Sequence, residues 1–354
     1  MKALVLSGGT GSRLRPITYT RAKQLVPLAN KPILFYGIED IATAGITEIG
    51  IIVGDTADDI RSAVGDGSQF GVNITYIEQE APLGLAHTVL IAKEFLGDES
   101  FIMYLGDNVL MGGVTDFVAE FNKENPNSMV LLNKVEDPRA FGVAEVAADG
   151  SIIGLEEKPK EPKSDLALVG VYLFDKSIHE AVRAIEPSAR GELEITDAIQ
   201  WLIDNNKVVL HHTIDSEWID TGKHQELLDA NRIVLDKIKT DIQGDIDSVS
   251  RIEGRVIIGQ GTKILNSTVR GPVVIGENVI IEGSYIGPYS SVASNAQILD
   301  SELEHSVVLE SAKISGIARM VDSLIGERAE CTKDSEQPSA CRVMIGDDST
   351  VKIP

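Results

Sequence analysis

The sequence predicts a chain of the α/β class in two parts. A domain with a Rossmann-like mixed sheet comes first, and a hexapeptide-repeat left-handed β-helix follows it. Three observations carry this. Short apolar runs alternate with helical periodicity up to Leu105, the pattern of a parallel sheet covered on both faces. Between Met129 and Phe174 apolar runs follow one another in the manner of an antiparallel insertion. Beyond Arg251 an aliphatic residue recurs about every six positions, the period at which coils of a β-helix bury their side chains by stacking.

The elements follow in order. Ala3 to Leu6 is a short buried strand running into Gly8, Gly9 and Gly11. Asn30 to Ala44 has helical spacing and Gly45 can end it; Asp55 to Val64 is a second helix closed by Gly65; Gly84 to Phe95 is a third. Ile49–Val53, Asn73–Ile77 and Phe101–Leu105 are the strands between them. Met129–Val135, Gly142–Val146, Ile152–Glu157 and Ala167–Phe174 are the middle strands, with Asp149-Gly150 as a hairpin turn. Ile214 to Gly222 is expected to complete the sheet, and Lys223 to Ile238 is a long helix. The expected domains are therefore 1–238, a polar linker 239–251, and a β-helix 252–354. In the last, Ile258, Ile264, Val269, Ile275, Ile281, Ile286, Val292 and Ile298 mark the repeat, with steps of five as well as six. Ile-Gly pairs recur as far as Ile345-Gly346, and Glu336 to Ala340 reads as a loop before a last strand.

Composition narrows the function classes. Hydrophobic residues at 43% and charged residues at 24% describe an ordinary globular chain. A net charge of −22 argues against nucleic acid or an anionic membrane surface as partner, since both are polyanions. Cys331 and Cys341 have no nearby ligands at zinc spacing and read as reduced, minor thiols. The apolar N-terminal run is too short for a signal peptide, and no stretch reaches the ~18 residues of a membrane span. A cytoplasmic location is expected.

In a parallel sheet, ligands bind at the carboxyl ends of the strands. Ser7, Gln79 and Gly106 fall at such ends, so one ligand could touch all three. Glycines at Gly8, Gly9 and Gly11 let backbone N–H groups approach an anion, and Arg13 and Lys23 add cations. The loop is neither a P-loop, which needs Gly-Lys-Ser/Thr, nor a dinucleotide fingerprint, since Leu14 stands where its third glycine would be. Gln79 offers one donor and one acceptor that could read a base edge, although a turn before a helix explains the same segment. Asp107 after a strand could hold Mg²⁺ or simply cap a turn; Asp220 is the candidate second carboxylate. Glu157 and Lys158 could end a strand at a pocket, because Pro159 follows, or be two solvated charges.

Gly9-x-Gly11-x-Arg13-Leu14-x-Pro16 with Lys23 downstream resembles the sugar-1-phosphate nucleotidyltransferases, and Lys23-Gln24-Leu25-Val26-Pro27 is similar to their glucose-1-phosphate thymidylyltransferase branch. The resemblance covers roughly residues 1–235. It implies that Gly8, Gly9, Thr10, Gly11, Ser12 and Gln24 bind the nucleotide, that Gln79 and Gly84 hold its thymine, and that Asp107 and Asp220 hold Mg²⁺. It implies that Leu85, Asn108, Gly142, Glu157, Lys158, Gly170 and Arg190 surround the sugar phosphate, with Arg13, Lys23 and Lys158 carrying catalysis. Gly191-Glu192-Leu193-Glu194-Ile195-Thr196-Asp197 fits the same branch, whereas Phe141 departs from the tyrosine usual before Gly142-Val143. The implied reaction is dTTP plus glucose 1-phosphate to dTDP-glucose and pyrophosphate, serving deoxysugar synthesis such as that of dTDP-rhamnose, by a homo-oligomer (trimer or tetramer). Alternatives are a uridylyltransferase or another hexose-1-phosphate nucleotidyltransferase, and an acetyltransferase activity in the β-helix using His305.

Overall fold

The structure is a computed structural model. It describes residues 1–354 except Thr10, Asp215, Ser216, Gly222, Lys223 and 334–354, and for Asp220 it describes the backbone strand alone. Readings at Thr10, Gly222, 336–340, Cys341 and Ile345-Gly346 lie outside the described residues. The chain divides into two units, Met1–Ala230 and Asn231–Pro354.

The first unit is built on a nine-stranded mixed sheet among the described residues. Lys2–Leu6 is central and pairs in parallel with Glu48–Val53 on one side and Phe101–Leu105 on the other. Asn73–Glu78 extends one edge in parallel; Leu166–Phe174 joins the other side antiparallel, followed by Gly142–Val146 and Ile152–Glu157. Because neighbours lie on both sides of Lys2–Leu6, its carboxyl end is a switch point where a crevice opens. Alternate side chains of this strand enter two separate cores. Ala3 and Val5 pack with Leu34, Ile38 and Ile41 of the helix Ile33–Thr43. Leu4 and Leu6 pack with Ala86 and Val89 of Leu85–Ile91 and with Ile199 of Ile195–Asp204.

The strands of the sequence reading lie within a residue or so of their expected bounds, and the helices start later. Ile33–Thr43 begins three residues on, because Ala29 and Asn30 turn at φ 47° and 64° to form a small hairpin of Pro27–Leu28 with Lys31–Pro32. The third helix is Leu85–Ile91, broken at Ala92 before Lys93–Leu96. One assignment is corrected. The sheet is completed by Val209–Thr213, parallel to Ser128–Lys134, and the region after Ile214 does not join it. Trp218–Asp220 instead pairs antiparallel with Asn108–Leu110 in a separate two-stranded sheet. The histidines His211 and His212 blur the period of an edge strand whose side chains are only half-buried.

The second unit is a left-handed parallel β-helix of three sheets. Residues in the middle coils stack at a separation of 17, and Ile298 stacks on Ile314 at 16, so these coils fall one or two residues short of three hexapeptides, which accounts for the five-residue steps. Ile264, Ile281, Ile298 and Ile314 form one interior column, and Cys331 continues it. Burial pushes the Cys331 thiol up, as for an inert core residue. The stretch read as a linker is the start of the coil: Asp241–Ile242, Asp245–Ile246 and Arg251–Glu253 each pair in parallel with the next coil. Its polarity misled because a terminal coil has one face without a neighbour to stack on. His305 turns at φ 44° with Nδ1 2.6 Å from Asp322 Oδ1 of the following coil.

Candidate active site

The strand Lys2–Leu6 delivers the glycine loop to the switch point. Ser7 N–H donates to Ile52 O at 2.8 Å, which fixes the loop's first residue on the neighbouring strand. Gly11 has φ 61°, and a Cβ there would lie 2.8 Å from Lys23 Cβ, so only glycine serves. Thr18 Oγ1 donates to Gly11 O at 2.7 Å, and Leu14 N–H to the same oxygen at 2.9 Å. Leu14 is buried beneath the turn Ser12–Leu14, while Ser12 and Arg13 are exposed.

A cleft of ≈ 250 Å³ opens beside the loop. Gly8, Gly9, Gln24, Gln79, Gly84, Leu85 and Asp107 line it, drawn from five stretches of chain, together with Leu6, Ile52, Pro82, Thr88, Leu105 and Glu192. The sequence reading missed the last six. Glu192 was signalled only by its place in the Gly191–Asp197 motif, and Thr88 is one of many small residues on an apolar helix. Gln24 is 3% exposed and its Oε1 has no protein partner.

The loop before the helix Leu85–Ile91 is clamped by a distant segment. Leu193 N–H donates to Leu83 O at 2.8 Å, and Ala86 N–H to Leu193 O at 3.0 Å. Gly84 has φ 99°, and a Cβ there would lie 2.4 Å from Leu193 O. Gly84→Ala is expected to destabilise by about 1–3 kcal/mol and to raise KM as the clamp shifts. Thermal melting with initial-rate kinetics checks both; unchanged Tm and KM would show that the clamp yields freely.

Asp107 follows Phe101–Leu105 and sits at the cleft wall. Lys23 Nζ lies 2.5 Å from its Oδ2, and Asn108 Nδ2 donates to its Oδ1 at 2.9 Å. The lysine side chain is 11% exposed, so this pair is screened far less than a surface bridge. Thr221 Oγ1 donates to Asp107 O at 2.9 Å, and Asp220 stands opposite Asn108 in strand register. Two acidic residues more than a hundred positions apart in sequence thus share one end of a two-stranded sheet. Asn108 is 3% exposed, its Oδ1 accepts from Trp218 Nε1 at 2.5 Å, and one hydrogen of its Nδ2 goes to Asp107. Its amide positions the carboxylate.

Glu157, Lys158 and Arg190 form a second cluster, tied to the cleft through Glu192. Lys158 turns at φ 46° where its strand ends, so that its Nζ comes 3.4 Å from Glu157 Oε1. Burial raises the Glu157 carboxyl above its ordinary range; Lys158 opposes this, Glu194 adds to it, and Arg190 opposes it in turn. A Cβ on Gly142 would lie 3.1 Å from Glu157 Oε2, and one on Gly170 would lie 2.5 Å from Leu105 Cδ1, so both glycines make room. Arg190, for which the resemblance implies a phosphate contact, is exposed and ion-paired at once. Its Nη2 lies 2.8 Å from Glu194 Oε1, 3.4 Å from Glu192 and 3.5 Å from Glu157. Burial works against its charge, yet the bonds to Glu194 leave it held above the ordinary value. The guanidinium thus has three carboxylates as partners, and the bonds to Glu194 are the short ones.

No group of three or more metal-binding side chains occurs among the described residues, and no helix there is long and apolar enough to cross a membrane. Residues 2–237 match the model of the nucleotidyl transferase family. A glucose-1-phosphate thymidylyltransferase of Streptomyces griseus is 54% identical over 353 residues, covering 100% of this chain and 99% of the relative. A low-salt glycan biosynthesis nucleotidyltransferase, Agl11, of Haloferax volcanii is 44% identical over 357 residues, covering all of both chains. Among solved structures, a Bacillus anthracis chain described as a glucose-1-phosphate thymidylyltransferase and solved with sucrose superposes with a TM-score of 0.63 at 37% identity, over 68% of this chain and 98% of that one. With the family model spanning the whole unit that holds the cleft, and relatives matching end to end, this chain belongs to the nucleotidyl transferase family.

Proposed function

We propose that the protein transfers a thymidylyl group from dTTP to glucose 1-phosphate, releasing pyrophosphate and forming dTDP-glucose. The observation that carries this is the single cleft where the glycine loop, Gln79 with Gly84, and Asp107 meet at the switch point. The full-length likeness to a thymidylyltransferase supports the choice of substrates.

A phosphate oxygen of the sugar phosphate attacks the α-phosphorus in line. The bond from that phosphorus to the bridging oxygen breaks, and pyrophosphate leaves with the electron pair. The nucleophile is already anionic, so no general base is needed, and the work is positioning and charge neutralisation. Backbone N–H groups of Gly8, Gly9 and Gly11 receive the triphosphate. Arg13 and Lys23 offset its charge, Lys158 meets the sugar phosphate, and Glu157 a sugar hydroxyl. Arg190 keeps Glu157 and Glu192 in place.

The corner at Asp107 fits a divalent cation. Its donors are hard carboxylate oxygens, Asn108 and Thr221 fix it, and its carboxylate already draws one cation, the Lys23 ammonium. Asp107 and Asp220 would hold Mg²⁺, which shields phosphate oxygens from the incoming anion.

The test is pyrophosphate release across dTTP, UTP, dCTP and dATP, each with glucose, galactose and N-acetylglucosamine 1-phosphates. The largest kcat/KM is expected for dTTP with glucose 1-phosphate. UTP should follow within about 10–200-fold, since one methyl group is worth only about 1–3 kcal/mol in a pocket. A purine nucleotide or another sugar phosphate in first place would overturn the reading.

A further inference from the structure

Gln79 does not stand alone. Its Nε2 lies 3.3 Å from Gly84 O and 3.1 Å from His87 Nδ1. A carbonyl oxygen can only accept, so the amide nitrogen of Gln79 must face it, and the opposite flip would set two oxygens against each other. The second amide hydrogen then points at His87, whose Nδ1 accepts it, leaving the imidazole proton on Nε2. Both donors of the Gln79 amide are thereby consumed inside the protein. Its Oε1 is what remains for a ligand. A Cβ on Gly8 would lie 3.7 Å from that oxygen, and Gly8 and Gln79 both line the cleft.

We propose that His87 is a specificity-determining residue: by accepting the Gln79 amide hydrogen it holds Gln79 Oε1 toward the cleft, so that the site takes bases with an imide N–H and rejects cytosine. This rests on the nucleotidyl-transfer reading above. Thymine and uracil carry a hydrogen on N3 that Gln79 Oε1 can accept. Cytosine has a bare N3, and two acceptors would then oppose each other in a half-buried site, where an unpaired polar group is costly. His87 does not touch the base in this scheme. It is a positioning residue acting through Gln79, and it enforces base class without separating dTTP from UTP.

The helix Leu85–Ile91 explains why this position can reach. Gly84 turns the chain sharply at φ 99°, and Ala86 is pinned to Leu193, so the first turn of the helix brings His87 back over the end of the strand that bears Gln79. Gly84 O provides one restraint on the amide and His87 the second. Removing His87 frees one amide hydrogen and lowers the cost of the flip that would present N–H to cytosine N3.

The test uses the full-length protein with His87→Leu, which has no acceptor, and His87→Asn, whose Oδ1 branches from the same carbon as the imidazole Nδ1. Two readouts are taken: the kcat/KM ratio of dTTP to dCTP, and the ligand-induced rise in Tm with dTTP, UTP and dCTP, which needs no turnover. His87→Leu is expected to reduce the dTTP:dCTP preference about tenfold, one hydrogen bond's worth, with dTTP:UTP unchanged. His87→Asn should keep the preference within about threefold of the parent. Equal losses for all three nucleotides, or an unchanged dTTP:dCTP ratio in a folded Leu variant, would overturn the proposal. Should His87→Leu fail to fold, His87→Met replaces it under the same criteria. A parent protein that binds dTTP over dCTP yet releases no pyrophosphate would sink the transferase reading and leave the role of His87 standing.

Discussion

Arg13→Ala is expected to lower kcat by about 10²–10³ while the nucleotide KM stays within about threefold, the pattern of a group that works mainly in the transition state. The fold should not notice the change. Arg13 is exposed, and its turn is held by buried Leu14 and by hydrogen bonds to Gly11 O, none of which involves the guanidinium. The argument for kcat is electrostatic. The chain carries a net charge of −22, so a triphosphate enters against the field of the whole molecule and depends on local cations. Charge grows on the bridging oxygen as pyrophosphate departs, and a planar guanidinium satisfies two phosphate oxygens at once. Steady-state kinetics with a parallel melt decide it. Equal losses in kcat and affinity at unchanged Tm would make Arg13 a binder and no more.

Asp107→Asn should show the other large effect, a loss of about 10²–10⁴ in kcat, because the charge stabilisation a metal supplies to a transferring phosphoryl group is worth several kcal/mol. The shape is nearly unchanged, but the chemistry of the corner inverts. Lys23 Nζ, 2.5 Å from a carboxylate oxygen, would face an amide nitrogen if the new side chain kept its acceptor toward Asn108. If it flipped, the Asn108 contact would be lost instead. Either way a partly buried hydrogen bond goes unmade, at about 1–3 kcal/mol, so Tm should fall by a few degrees. Added Mg²⁺ should not restore the rate. Full activity at high Mg²⁺ would mean that Asp107 merely tunes metal affinity; full activity at ordinary Mg²⁺ would remove it from the metal site.

Much of this was legible before any coordinates. Strands buried on both faces announce themselves as runs such as Ile49 to Val53, since nothing polar can be accommodated there. The β-helix is equally plain, because each coil repeats the same local demand for an aliphatic side chain at its interior corner. Where the reading failed, the signal was not local. Val209–Thr213 is an edge strand with two histidines, and only its parallel pairing with Ser128–Lys134 makes it part of the sheet. Residues 239–251 looked like a linker because the first coil is covered on one side only.

What the amino-acid sequence determined by itself was the inventory: the glycine loop, the cations and carboxylates, the alternation of strand and helix, and the hexapeptide period. Each depends on neighbours a few positions apart, where spacing dictates which side chains share a face. The tertiary structure alone decided what each polar group faces. It turned Asn108 inward to Trp218 and Asp107, wrapped Arg190 in Glu157, Glu192 and Glu194, and backed Gln79 with His87. Hydrogen bonds and ion pairs depend on ångström distances and on the direction of each Cα–Cβ bond. Both are set by packing between stretches as far apart as Asn108 and Trp218, which no spacing along the chain encodes.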